Sequence, residues 1–124
     1  SYPIHTCASG KNFLAYMDRE VRRRLLTEAG MPRRTQRTVG TIEEMEREIA
    51  SAREHGYATE ITEFSDDLNS YAAPIFDYRG KVVANMSISG PSIRATTEKL
   101  DSLVNILLET TRSISHELGR DDSE

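Results

Sequence analysis

The segment that decides the fold is AAPIFDYRGKVVANMSISGP, residues 72–91. Two apolar runs flank the polar stretch Asp77-Tyr78-Arg79-Gly80, and this pattern predicts a β-hairpin. Because successive side chains of a strand point to opposite faces, the second run has one apolar face and one that becomes polar toward its end. The apolar face carries Val82, Ala84, Met86 and Ile88, and the other face carries Val83, Asn85, Ser87 and Ser89.

Around this hairpin, hydrophobic periodicity and helix-end signals predict the other elements. In chain order they are helices at 9–17, 18–29 and 41–55, strands at 57–64, 70–77 and 81–89, and a long helix at 97–118. Helices followed by an antiparallel sheet and a final packing helix indicate the α+β class. We expect the 41–55 and 97–118 helices to pack on the apolar face of the hairpin, away from its serines.

The best-defined helix start is at Thr41. Glu44 follows three residues later, and this combination predicts a capping box. Gly56 supplies a left-handed stop at the other end of the same helix. Asp18 and Gly30 are the corresponding start and stop signals of the preceding helix.

The composition limits the classes of protein to which the chain can belong. Its 124 residues suffice for one domain, and its formal net charge of −4 is unlike that of most nucleic-acid-binding domains, which are basic. No apolar run in the sequence has the length of a membrane span. The single cysteine, Cys7, cannot form an internal disulfide, which is typical of a reducing cytosol. We therefore expect a cytoplasmic protein without membrane contact and, since the chain opens at Ser1, a fragment of a longer one.

Signatures of catalysis and of metal binding are absent from the sequence. Ser87 and Ser89 lack the glycines of a nucleophile elbow, and the histidines at positions 5, 55 and 116 do not have metal-ligand spacing. The sequence therefore predicts no catalytic residue, no metal and no cofactor. The serine face has two interpretations: a pocket wall whose small hydroxyls bond to a ligand, or a sheet face that meets solvent. Periodicity alone favours solvent.

Four motifs together resemble the effector-binding domain of IclR-type bacterial transcriptional regulators. They are HTCASGKNFLAY at 5–16, REHGYA at 53–58, AAPIFDYRGKVVANMSISGPSIR at 72–94 and ISHELG at 114–119. The resemblance implies a GAF-like antiparallel sheet with flanking helices, incomplete at its N-terminus. It implies an effector-binding domain at 1–119, a polar tail at 120–124, and a DNA-binding winged helix-turn-helix upstream of this chain.

The resemblance also implies where the effector binds. The implied contacts are Tyr2 on the wall, the backbone around Ala8 and Ser9, the side chain of Glu60, Leu68 and Ser70 after the loop, and Ser87 and Ser89 on the last strand. The expected partner is a small organic effector, either a carboxylate or an aromatic metabolite. We expect a homodimer or tetramer that contacts DNA only through the upstream domain.

Two residues of the first motif have structural interpretations, and two functions other than effector binding stay open. His5 is interpreted as a hydrogen-bonded core group and Lys11 as a surface charge at a helix start. Besides a sensor, the chain could be an enzyme that uses a GAF-like pocket, or a dimerisation module with a vestigial pocket. Turnover of a bound metabolite would identify the enzyme, and calorimetry with metabolites would separate the sensor from the dimerisation module.

The turn chemistry and the implied pocket predict different strand registers. A three-residue loop ending in a left-handed Gly80 is the natural hairpin, but an unbroken ladder would turn Ser70 away from the other two serines. A two-residue loop would bring the serines together at the cost of left-handed backbone at Tyr78 and Arg79. We therefore predict the glycine-ended loop with a one-residue slip between Tyr71 and Ile75, near Pro74.

Overall fold

The computed structural model describes residues 3–121. Its elements are a 3-10 turn at Ile4–Thr6, α1 at Ala8–Ala15, α2 at Arg19–Ala29, α3 at Ile42–His55, β1 at Ala58–Ile61, β2 at Leu68–Phe76, β3 at Val82–Pro91 and α4 at Thr97–Glu117. The strands form one antiparallel sheet in the order β1-β2-β3, so the predicted α+β class is confirmed. None of the helices described is long and apolar enough to cross a membrane.

The starts of α2 and α3 and the end of α3 lie where the sequence predicted them, although only half of the predicted capping box forms within residues 3–121, because the Glu44 side chain does not accept from the Thr41 amide. The Thr41 hydroxyl accepts a hydrogen bond from the Glu44 amide at 3.1 Å, which satisfies one of the free N–H groups at the start of α3. Gly56 ends α3 in the left-handed region, with a φ of 86°. The Asp18 carboxylate accepts from the Glu20 amide at 2.9 Å and caps α2 in the same way. Short polar side chains thus fix where α2 and α3 begin.

One face of the sheet packs on α4, as the sequence predicted. Tyr71 and Ala73 of β2 are buried against Leu100 and Leu107 of α4. The partly buried side chains of Met86 and Ile88 on β3 join the same apolar cluster. The apolar face of the hairpin therefore faces a helix, and the leucine stripe of α4 covers it.

The expected position of α3 is wrong, because α3 lies on the serine side of the sheet together with α1. Four buried alanines form this contact, one from each element: Ala8 of α1, Ala52 of α3, Ala58 of β1 and Ala72 of β2. The larger apolar residues of α3 pack on other helices instead, where Met45 and Ile49 meet Leu14 and Leu26. The stripe of α3 was correctly identified, but a stripe does not reveal whether a sheet or a helix covers it.

The hairpin has the predicted glycine-ended loop. Asp77 donates its amide to the Lys81 carbonyl at 2.9 Å, and Gly80 has a φ of 77°. The Asp77 carboxylate accepts from the amides of Arg79 and Lys81, which holds the turn in this form.

The predicted one-residue slip is present, but its predicted place between Tyr71 and Ile75 is wrong. The register shifts between Ile75 and Phe76, so that the extra residue is Val83 on β3. The cause lies in α4, because the Phe76 amide donates to the buried Ser115 hydroxyl at 2.9 Å instead of to β3. Pro74, which has no N–H, stays in regular register opposite Asn85.

Candidate functional site

A cavity of about 340 Å³ lies between the start of α1 and the three strands. Its lining residues are Cys7, Ala8, Ser9, Glu60, Leu68, Ser70, Ser87 and Ser89, and we call this the serine pocket. The structure thus brings together seven of the eight residues that the family resemblance implied as effector contacts. The eighth, Tyr2, lies outside the described residues. Cys7 was not among the residues assigned, although it directly precedes two of them.

The register explains how three serines reach one wall. Ser70 is directly opposite Ser89, and Ala72 is opposite Ser87, so all four side chains share a face. That parity exists only because the ladder shifts by one residue near the turn. Each small side chain leaves volume above the sheet. Since none of the three hydroxyls is hydrogen-bonded within residues 3–121, each can bond to a ligand.

A carboxylate stands at the end of this row of hydroxyls. Glu60 of β1 is opposite Ser70 of β2, which is opposite Ser89 of β3, so the three residues cross the sheet in line. Glu60 is only 2% exposed although it lines the pocket. An ionised carboxylate accepts hydrogen bonds only. A ligand group that hydrogen-bonds to an ionised Glu60 is therefore the donor of that bond.

The opposite wall is the first turn of α1, which presents backbone amides. The free N–H groups of a helix N-terminus attract anions. Cys7 caps this end, since its Sγ accepts from the Gly10 amide at 3.2 Å. Burial raises the pKa of the Cys7 thiol, so it stays neutral at pH 7 and does not repel an anion. A Cβ at Gly10 would lie 2.2 Å from the Ile4 carbonyl oxygen, so only glycine fits there.

Lys11 holds the serine-pocket wall in place from behind. Its ammonium group, 1% exposed, donates to Glu63 at 2.9 Å, to Glu48 at 2.9 Å and to the Thr59 carbonyl at 2.7 Å. These bonds tie α1 to α3 and to β1, next to Glu60. The interpretation of Lys11 as a surface charge is therefore wrong. That of His5 is confirmed, since its buried ring bonds to the Pro32 carbonyl at 3.0 Å.

Glu63 is the buried carboxylate of this ion cluster, with 5% of its surface exposed. Burial raises the pKa of its carboxyl group, and the Lys11 ammonium opposes that rise. The ion pair with Lys11 therefore offsets part of the cost of burying the Glu63 charge. The sequence did not indicate the ion pair between Lys11 and Glu63, because these residues are far apart in the chain.

A pair of asparagines anchors α1 to the sheet beside the serines. Asn12 donates to the Ala72 carbonyl at 2.9 Å and to the Asn85 side-chain oxygen at 2.7 Å. Asn85 occupies the same face of β3 as Ser87, as the strand periodicity predicted. Within residues 3–121, the remaining Asn12 oxygen and the Asn85 amide nitrogen are buried without a hydrogen-bond partner.

The chemistry available in the serine pocket is recognition by hydrogen bonds and by an anion-attracting helix start. Within residues 3–121, no group of three or more histidine, cysteine, aspartate or glutamate side chains is placed to hold a metal.

Comparison with known proteins gives consistent matches. Residues 1–116 match the family described as "Bacterial transcriptional regulator IclR C-terminal". The HTH-type transcriptional regulator KdgR of Dickeya chrysanthemi is 35% identical over 120 residues, which are 97% of this chain and 39% of that protein. The crystal structure of the C-terminal domain of E. coli KdgR has a TM-score of 0.85 and 34% identity, and the match covers 94% of this chain and 71% of that one.

A more distant structure shares the fold. The inducer-binding domain of PobR from Acinetobacter, a double mutant in complex with 3-hydroxybenzoic acid, has a TM-score of 0.84 at 24% identity, covering 96% of this chain and 66% of that one. The curated relatives are transcriptional regulators, in line with the expectation that the chain is not an enzyme. The chain spans 39% to 46% of the length of three of these relatives.

Proposed function

The chain belongs to the IclR family of bacterial transcriptional regulators through the C-terminal domain of that family, and we propose that its serine pocket binds the small organic effector of such a regulator. The observation that carries the proposal is the row Glu60, Ser70 and Ser89 facing the first turn of α1 across one cavity. The proposed contacts are those that the family resemblance implied: Tyr2, Ala8, Ser9, Glu60, Leu68, Ser70, Ser87 and Ser89.

The two walls suit the two ends of a small carboxylic acid. The amides at the start of α1 suit its carboxylate. The serine hydroxyls both donate and accept, and Glu60 accepts from a hydroxyl or amine on the ligand. An aromatic carboxylate is the second candidate, because Leu68 and Ala8 supply apolar contacts and the PobR domain was solved with one.

Binding matters to a regulator only if it shifts an equilibrium. The effector must bind one state of the oligomer better than another, and that difference limits the size of the response. We place the domain at 1–119 and a polar tail at 120–124. A winged helix-turn-helix outside this chain contacts DNA, and the cytoplasmic protein acts as a homodimer or tetramer.

Calorimetry on the full chain tests this proposal. The ligands are matched pairs: a hydroxy acid and its amide, and 3-hydroxybenzoate and 3-hydroxybenzamide. We expect saturable binding of at least one acid, and weaker binding of its amide, which cannot place an anion at α1. No binding of any of the four would contradict the proposal and favour the dimerisation module. Release of a changed product, followed by chromatography, would favour the enzyme.

A further inference from the structure

A second cleft lies at the other end of β2 from the serine pocket, and we call it the arginine cleft. It has a volume of about 250 Å³ and opens between the ends of α3, α4 and β2. Arg53 of α3, Arg112 of α4 and Arg120 just beyond α4 all line it. The two clefts use opposite ends of β2 and share no lining residue.

The side chains that line this cleft carry more positive than negative charge. Elsewhere, Arg22 pairs with Glu46 and Arg79 pairs with Asp77. Within residues 3–121, none of the three cleft arginines forms an ion pair. Glu54 is the one acidic residue in the lining, so the lining residues have a formal excess of two positive charges.

Aromatic rings hold two of these guanidiniums without occupying their N–H donors. The Arg53 guanidinium carbon lies 5.1 Å from the Tyr16 ring centroid, and that of Arg120 lies 3.8 Å from the Phe76 ring centroid. The two rings contact each other edge to face, with centroids 4.9 Å apart. Stacking of this kind orients the planar fork and leaves its edge available to acceptors.

A purely structural role would also place arginines here, because helix ends carry partial negative charge. Arg53 does donate one bond to the Ala15 carbonyl at the end of α1, at 3.0 Å. No corresponding bond to a helix carbonyl is present for the side chains of Arg112 and Arg120 within residues 3–121. Binding to a helix end therefore explains the position of Arg53 but not those of Arg112 and Arg120.

We propose that the arginine cleft binds a small anion with at least two acceptor oxygens, either a phosphate or a carboxylate, independently of the serine pocket. Planar guanidiniums form paired, charge-assisted hydrogen bonds with such groups. Tyr16 also lines this cleft, and its hydroxyl is a further hydrogen-bond donor, whereas the Thr111 hydroxyl already donates to the Leu108 carbonyl at 3.2 Å.

Titration of the full chain with inorganic phosphate and, separately, with malonate tests this site. Ionic strength is held constant with sodium chloride, and the arginine side-chain N–H signals are followed by NMR. We expect saturable shifts of the Arg53 and Arg120 signals, and the anion that saturates at lower concentration identifies the class. The variants Arg112→Gln and Arg120→Gln should each bind about tenfold more weakly, the loss expected for one charge-assisted hydrogen bond.

The matched control is Arg24→Gln, which removes an exposed arginine of α2 and should bind like the parent protein. Ser89→Ala, in the serine pocket, should also leave anion binding here unchanged. Shifts that follow chloride equally, or that persist unchanged in both cleft variants, would overturn the proposal. Because the parent protein is measured directly, a variant that fails to fold does not decide the result.

Discussion

The two faces of the β2–β3 hairpin consist of alternate residues of the same strands, yet one face packs on a helix and the other borders a cavity. The α4 face is apolar, with Tyr71, Ala73, Met86 and Ile88 packed on a leucine stripe. The serine face carries hydroxyls and, together with the Glu60 carboxylate of the neighbouring β1, lies beneath a cavity of about 340 Å³. The face on which each strand residue lies therefore decides whether it stabilises the sheet or remains available to a ligand.

The two faces are also held in different ways. The attachment of α4 to the sheet is mainly apolar, with hydrogen bonds from Tyr71 to Asp101 and from Phe76 to Ser115 beside it, and apolar contacts tolerate volume-conserving changes. The α1 helix is attached by buried polar groups, above all Lys11 and Asn12. Polar anchors of this kind are costly when one partner is removed. We therefore expect the largest losses of stability behind the serine pocket.

The largest effect is expected for Lys11→Met. The change leaves the Glu63 carboxylate buried without its cation, which should lower the free energy of unfolding by about 3–5 kcal/mol. Urea unfolding followed by circular dichroism measures it. Lys99→Met, which removes an exposed lysine, is the matched control and should change stability by less than about 0.5 kcal/mol. Equal effects of the two changes would show that Lys11 is not an anchor.

On the other face, Leu107→Ala should lower the free energy of unfolding by about 2–5 kcal/mol, because it empties a buried part of the α4 contact. Ile106→Ala, one position away and 63% exposed, is the control, with an expected change within about 0.5 kcal/mol. A large loss at Ile106 would mean that a further surface covers α4.

Asn12→Ala should have an intermediate effect. It leaves the Ala72 carbonyl and the Asn85 side chain without their donor, at a cost of about 1–3 kcal/mol. The exposed Asn105 provides the control, since Asn105→Ala removes the same side chain from a position where it forms no side-chain hydrogen bond within residues 3–121. Thermal unfolding compares the two, and indistinguishable midpoints would remove Asn12 from the set of anchors.

The pH dependence of the unfolding free energy tests the role of Lys11 as the partner of Glu63. The pKa of Glu63 is raised in the folded state, so the fold binds a proton at this site more tightly than the unfolded chain does. Stability contributed by this group therefore increases as pH falls through the raised pKa. Without Lys11 the pKa should rise further. The gap in unfolding free energy between parent and Lys11→Met should narrow from pH 7.5 to pH 5.5, whereas a constant gap would contradict the ion-pair interpretation.

The sequence predicted the fold well where the signal is local. Turn chemistry identified Gly80, capping identified Thr41, and strand periodicity separated Met86 from Ser87. It failed where a distant partner decides the outcome. The bulge lies at Phe76 rather than near Pro74 because the Phe76 amide donates to the Ser115 hydroxyl of α4. The α3 helix lies on the serine side because small alanine side chains let it approach the sheet there.

The site follows the same division. Strand parity grouped Asn85, Ser87 and Ser89, while the resemblance to a known family supplied Glu60 and Ser70. Lys11 was misread because a lysine near a helix start is usually exposed, and its acceptors come from residues 48, 59 and 63, which are remote in sequence.

The most direct test of the division between the faces is the calorimetric affinity of Ser87→Ala and Ser89→Ala for the effector found with the parent protein. Each loss of one hydroxyl should weaken binding by about 0.5–1.5 kcal/mol, or by about 1.5–3 kcal/mol if the bonded ligand group is charged. Stability should stay within about 0.5 kcal/mol. The exposed Ser113→Ala on α4 is the control and should bind normally. Parent-like affinity in both serine variants would contradict the assignment of this face to ligand binding.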